Sequence, residues 1–199
     1  MDWKKRQKAD PYVKRAQREG YRARSAFKLI ELDEKDRFFR PGQRVVDLGA
    51  APGGWCQVAL ERVGPQGVVT GLDILPMEPI DGVTFIQGDF REDEPLAALE
   101  EAMAGQRADL VLSDMAPNMS GISPSDQARS MYLAELAAAF ARDWLDSRGV
   151  FVVKVFQGRG FDACLAELRS SYAQVRVRKP AASRAESREV YLVASRPRA

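Results

Sequence analysis

Val45-Val46-Asp47-Leu48-Gly49-Ala50-Ala51-Pro52-Gly53-Gly54-Trp55 joins an apolar, β-branched run to a glycine-rich turn and the start of a helical pattern. A strand that ends in such a turn and feeds a helix lets a ligand approach the backbone at the carboxyl end of the first strand of an α/β sheet. In the dinucleotide pattern G-x-G-x-x-G the second glycine makes room for a pyrophosphate. Here that position is Ala51, followed by Pro52, which argues against a pyrophosphate cradle and an NAD-dependent oxidoreductase. Asp47, just ahead of the turn, favours a ligand that carries positive charge instead.

Outward from this turn, short β-branched runs alternate with helical patterns. The expected strands are Arg44–Leu48, Val68–Asp73, Val83–Gln87, Ala108–Ser113, Val150–Val155, Gln174–Val177 and Val190–Ala194. The expected helices are Gly54–Val63, Leu96–Ala104, Ala128–Leu145 and Phe161–Tyr172. Alternation of this kind predicts right-handed βαβ crossovers and a mostly parallel, seven-stranded α/β sheet with helices on both faces. Only Arg178–Glu189 separates the last two strands, without a helical pattern, so the C-terminal strand is expected to be antiparallel. Residues 1–40 read as a basic arm with helices, Ser25 being a candidate cap. Pro41-Gly42 marks a turn, and residues 41–199 form the body of a single domain.

Successive strands deliver a carboxylate to the same edge of the sheet. Asp73 ends the second strand, about two dozen residues after the glycine turn, where ribose hydroxyls are held in related folds. Asp89 follows the third strand, beside Phe90, and is placed to accept from an adenine amino group. Asp114 follows the fourth. A lone Asp is more often a cap or turn residue. Four in register with Asp47 point to a cationic, nucleoside-bearing cofactor, and S-adenosylmethionine carries both an ammonium and a sulfonium.

Composition narrows the classes further. The chain of 199 residues fits one domain with a sizeable core. No apolar run approaches the roughly 20 residues that span a bilayer. The N-terminus lacks the apolar stretch of a signal peptide. Cys56 and Cys164 do not form a disulfide framework, so a cytoplasmic setting is expected. There is no histidine, so acid–base chemistry falls to Lys, Asp, Glu or Tyr, and no metal site is expected. The formal net charge of +2 conceals a segregation. Residues 1–44 hold 14 Lys and Arg against 7 Asp and Glu, residues 45–168 hold 8 against 19, and residues 169–199 hold 8 against 2. An acidic centre between two basic ends suits a cationic cofactor and a polyanionic partner.

Four motifs carry a resemblance: Asp47–Trp55, Ser113-Asp114-Met115-Ala116-Pro117-Asn118-Met119-Ser120-Gly121, Val152-Val153-Lys154-Val155-Phe156-Gln157-Gly158 and Ser187-Arg188-Glu189-Val190-Tyr191. They look like those of the FtsJ/RrmJ (RlmE) methyltransferases, over nearly the whole chain. The resemblance implies a Rossmann-like, S-adenosylmethionine-dependent methyltransferase fold and a Lys-Asp-Lys-Glu tetrad, which here would be Lys28, Asp114, Lys154 and Glu189. It implies cofactor contacts at Gly53, Trp55, Asp73, Asp89 and Asp114; Gly49, Gly54 and Asp47 belong to the same turn. Bacterial members methylate a uridine 2′-hydroxyl in the A loop of 23S rRNA in the large ribosomal subunit, which makes rRNA the expected partner. Cys56 stands where a serine or other small residue is expected.

A ribose hydroxyl is a weak nucleophile and needs a base as it attacks the sulfonium methyl. Lysine serves only where burial or a like charge disfavours its ammonium form. Lys154 closes the apolar run Val150–Val153, where a charge costs desolvation, and is the expected base; Lys28 would stabilise the developing oxyanion. Taken singly, Lys28 reads as a solvated helix lysine and Glu189 as an edge-strand charge. Arg15, Arg18, Arg22 and Arg24 at one end, and Arg178, Lys179, Arg184 and Arg188 at the other, are the expected RNA contacts. A tRNA methyltransferase and a non-catalytic ribosome-assembly factor are the competing readings. A small-molecule or protein methyltransferase fits the two basic ends poorly. The expected state is a monomer.

Overall fold

A computed structural model describes residues 10–117 and 123–198. The first nine residues of the arm and residues 118–121 of the second motif lie outside the described residues.

The chain runs α1 (Pro11–Glu19), α2 (Ala26–Asp36), β1 (Arg44–Leu48), α3 (Gly54–Val63), β2 (Val68–Asp73), β3 (Val83–Gln87), α4 (Asp93–Ala102), β4 (Ala108–Ser113), α5 (Ser123–Trp144), β5 (Leu145–Phe156), α6 (Phe161–Ser171), β6 (Tyr172–Arg178) and β7 (Glu189–Pro197). The first four strands and α3 have the expected bounds. Helix α4 starts ahead of Pro95 and α5 ahead of Pro124, earlier than expected, because proline in the first helical turn sacrifices no hydrogen bond. Asp93 and Glu94 further favour the start of α4, where carboxylates meet the positive end of the helix dipole. At α1, the Asp10 side chain accepts from Tyr12 N and Pro11 occupies the first turn. Ser25 does not cap α2 with its side chain, contrary to expectation: its backbone is already helical, and its carbonyl is used elsewhere.

The seven strands form one sheet in the order β3-β2-β1-β4-β5-β7-β6. All neighbours are parallel except β7, which runs antiparallel to both β5 and β6. The chain winds outward from β1 through β2 to β3, then crosses to β4, so a crevice opens at the carboxyl ends of β1 and β4.

Strand pleating assigns alternate residues to opposite faces. One face, Val46, Leu48, Val111, Phe151, Val153 and Leu192 among others, packs with residues of α4, α5 and α6. The other, including Val45, Leu110, Leu112, Val152, Tyr191 and Val193, packs with α2 and α3 through Leu29, Leu32, Trp55, Val58 and Ala59. The residues that continue this second face to the carboxyl edge are Gly49 after β1, Asp73 on β2, Asp114 after β4, Lys154 on β5 and Tyr191 on β7. The arm is joined to the body here: Phe27 is 1 % exposed and sits against Tyr12 and Tyr21. Among the described residues, no helix is long and apolar enough to cross a membrane.

Phe151, on the central strand β5, is fully enclosed. Phe151→Ala is expected to lower unfolding stability by about 3–5 kcal/mol, because the cavity adds to the lost transfer energy. Denaturant unfolding checks this through a lowered midpoint with an unchanged slope.

Candidate active site

Lys154 follows Val150 and Val152 on the α2/α3 face, and Tyr191 lies directly opposite it on β7. Lys154 Nζ donates to the Asp114 carbonyl at 2.7 Å and lies 3.0 Å from Asp114 Oδ1. Tyr191 OH donates to the same Oδ1 at 2.8 Å. The Lys154 side chain is 7 % exposed and that of Asp114 17 %. An ammonium so enclosed is tolerated only with a carboxylate and further acceptors around it. Burial, together with the charges of Asp114 and Glu189, pushes the Tyr191 phenol well above its ordinary range, so it stays a donor.

A second pair flanks the first. Lys28, on α2, lies 2.5 Å from Glu189 Oε1, and both side chains are nearly enclosed. The Tyr191 ring stands between the pairs, its centroid 5.9 Å from Lys28 Nζ. The four tetrad residues therefore converge on one edge. Sequence reasoning overlooked Tyr191; its position two residues after Glu189, on the same face of β7, is the signal that could have found it. A cleft of about 360 Å³ opens beside Lys28 and Glu189, lined also by Arg24, Ser25, Arg184, Glu186 and Ser187.

The glycine turn is held by its neighbours. Gly49, at φ 85°, lets Met115 approach so closely that a Cβ would lie 2.9 Å from its Cγ. Gly53, at φ 110°, leaves room for Ile80 and Met77, whose side chains a Cβ would meet at 2.6 and 3.0 Å. Gly54 faces Ala23 of the arm. Trp55 is buried, and its indole N–H donates to the Ser25 carbonyl at 2.8 Å, tying α3 to α2. Asp73 accepts from Ala51 N and Leu75 N, both at 2.9 Å, and so braces the turn and the segment after β2. Asp89 is paired with Arg91, which holds its carboxyl at about 2. Phe90 packs into the core against Phe140.

Asp47 differs from the expectation of a ligand-facing carboxylate. It is 0 % exposed beneath the turn, where Cys56 Sγ donates to Oδ2 at 3.3 Å and Oδ1 has no partner. Burial pushes its carboxyl up to about 7. Cys56, standing where a serine or other small residue is expected, thus serves as the acid's donor.

The expected RNA-contacting residues divide in two. Arg22 donates to the carbonyls of Pro52, Glu78 and Pro79, clamping the segment after β2 to the glycine turn. Arg24 pairs with Asp10 and donates to the Ala182 carbonyl. Arg15 pairs with Glu19 over the Phe27 ring, and Arg178 pairs with Asp36. Lys179 donates to the Ser187 carbonyl. Arg18 and Arg184 are held more loosely, at 3.5 Å from Glu19 and 4.0 Å from Asp10, with side chains 76 % and 45 % exposed. Arg188 lies in the loop before β7, where its carbonyl accepts from Gln157 N. Among the described residues, no three His, Cys, Asp or Glu side chains gather as a metal site requires.

A model of the FtsJ-like methyltransferase family matches residues 21–196. A ribosomal RNA large subunit methyltransferase E of Azoarcus sp. (strain BH72) is 61 % identical over 184 residues, covering 92 % of this chain and 90 % of its own. The protein of that name from Methylobacillus flagellatus is 56 % identical over 191 residues, with 96 % and 92 % covered. Among solved structures, a Plasmodium falciparum protein described as a ribosomal RNA methyltransferase superposes with a TM-score of 0.81 at 32 % identity, covering 89 % of this chain and 98 % of that one.

The enclosed Asp47 has a consequence for stability. Its carboxyl is raised in the fold, so its contribution is fully present below the unfolded value near 4 and is lost as pH rises through about 7. Asp47→Asn is expected to gain stability relative to the parent protein between pH 4 and 8, as read from unfolding midpoints; a pH-independent difference would contradict the burial assignment.

Proposed function

The chain belongs to the FtsJ-like methyltransferase family, and from that premise we propose that it transfers the methyl group of S-adenosylmethionine to a ribose 2′-hydroxyl of 23S rRNA in the large ribosomal subunit. The names of its relatives support the rRNA substrate. The observation that carries the chemistry is the enclosed Lys154–Asp114 pair, flanked by the Lys28–Glu189 pair, which lines a cleft together with Arg24 and Arg184. A uridine of the A loop is the nucleotide this reading selects. A cytoplasmic enzyme working as a monomer goes with it, and the first 40 residues act as an RNA-facing arm on the catalytic body.

The residues present fit the cofactor. Asp114 offers a carboxylate at the edge to a cationic ligand, Asp73 stands where ribose hydroxyls would be held, and Asp89, beside its partner Arg91, would accept from an adenine amino group. Ile74 and Leu75, large apolar side chains 55 % and 59 % exposed beside Asp73, offer a ledge to an adenine. Gly53, Gly54 and Trp55 shape the turn beneath. When bound, the cofactor supplies an electrophilic methyl group on a sulfonium.

Lys154 would act in its neutral amine form, having given its own proton to solvent, and would take the 2′-hydroxyl proton as that oxygen attacks the methyl group the cofactor would supply. Asp114 and Tyr191 fix where the amine sits. Lys28, oriented by Glu189, stabilises charge developing on the attacking oxygen. Arg184, with Arg18 and Arg188, neutralises phosphates around the target nucleotide.

The test is transfer of labelled methyl to large subunits from a strain lacking the enzyme, to naked rRNA and to tRNA. Alkali-resistant label on the subunits is expected. Label on tRNA alone would overturn the substrate, and no label with cofactor bound would favour an assembly factor. Lys154→Ala, checked for folding by circular dichroism, is expected to lower kcat about 10²- to 10⁴-fold, the usual contribution of a general base. Turnover close to that of the parent would remove Lys154 from this role.

A further inference from the structure

At the opposite end of the strands from the catalytic edge lies a second cleft, of about 270 Å³. Five arginines line it: Arg37 and Arg40 after α2, Arg148 in β5 at the irregularity between its paired residues Leu145 and Val150, Arg176 on β6 and Arg196 on β7. Its one acid is Asp36, almost fully enclosed and engaged by Arg176 and by Arg178. Among the described residues, no carboxylate pairs with Arg37, Arg40, Arg148 or Arg196, all four of them exposed.

Four unpaired guanidiniums around one concavity repel one another, and focused positive potential of this kind is the footprint of a polyanion site. The backbone adds an independent sign. Arg37, at φ 49°, and Arg196, at φ 59°, are two of the three non-glycine residues in the left-handed region among the described residues. At the Arg37 position, which ends α2, glycine is the residue that costs no strain. A strained arginine at each of two walls points to selection for the side chain rather than for the turn.

We propose that this cleft binds backbone phosphates of RNA, holding a part of the substrate remote from the nucleotide that reacts. Val150 at its floor is four residues from Lys154 along β5, or about 13 Å at a strand's rise per residue. The target nucleotide therefore does not fill both sites, and the phosphates held here come from a neighbouring segment of a large, folded RNA. The inference rests on the rRNA reading and adds to it a reason for preferring a structured particle to a short oligonucleotide.

The test compares the parent with Arg40→Ala/Arg148→Ala and, separately, with Arg37→Gly, measuring binding to large subunits and to naked 23S rRNA across about 50–200 mM salt, and methyl-transfer kinetics. Losing two phosphate contacts is expected to make the slope of log affinity against log salt shallower by about 1–2. Affinity at the lowest salt should fall on the order of tenfold, for subunits and naked rRNA alike. kcat at saturating subunits and cofactor affinity should stay at the parent values. Arg37→Gly should raise the melting temperature while weakening RNA binding, a combination that damage to the fold cannot produce. Parent-like affinity and salt slope in both variants, with the parent fully active, would overturn the cleft assignment alone. Loss confined to subunits, with the rRNA slope unchanged, would overturn it in favour of an acidic ribosomal protein. A parent that neither binds nor methylates large subunits would sink the rRNA reading, and this inference with it.

Discussion

The contact on which the active edge depends is that between Lys154 and Asp114. An ammonium 7 % exposed at the end of an apolar strand is costly unless its charge is met and its donors are used. Asp114 does both, through its carboxylate and its own carbonyl. The carboxylate in turn is held by Tyr191, which the antiparallel register of β7 sets directly across from Lys154. The one antiparallel strand of the sheet is therefore what completes the site: it brings Tyr191 and Glu189 to the edge from a chain direction that no parallel strand could supply.

The same edge explains why the arm and the glycine turn form one unit. Trp55 ties α3 to the Ser25 carbonyl just ahead of α2, which carries Lys28. Arg22 grips the carbonyls of Glu78 and Pro79 above the glycine turn, while Gly53 and Gly54 keep the surfaces close enough for Ile80, Met77 and Ala23 to pack on them. The arginine that charge alone assigns to RNA is thus a fastener between the arm and the segment beside the glycine turn.

Much of this was legible in the sequence, for identifiable physical reasons. β1 to β4 are buried or half-buried parallel strands, and glycine stands next to β1, β2 and β3 (Gly49, Gly67, Gly82 and Gly88), so their ends are marked sharply. The starts of α4 and α5 were hidden by Pro95 and Pro124, which read as breakers yet sit harmlessly in a first turn. Lys154 stood out because a charge closing an apolar strand is unusual, and the family resemblance supplied its three partners. Tyr191 did not stand out, because an aromatic residue in a strand is ordinary and only the β5–β7 register gives it a role. The burial of Asp47 was not legible, since sequence carries no depth: the turn folds over it, and Cys56 becomes its donor. The pairing of Arg24 with Asp10 and of Arg178 with Asp36 was equally invisible, these being contacts between distant segments.

The most direct measurement is a double-mutant cycle on Lys154→Met and Asp114→Asn, read by denaturant unfolding. If the pair sustains the edge, Asp114→Asn alone strands a buried ammonium, and the double variant recovers stability relative to it, with a coupling of at least about 1 kcal/mol. Effects that simply add, within about 0.3–0.5 kcal/mol, would show that the two residues are neighbours without dependence, and would contradict the central place of this pair in the active edge.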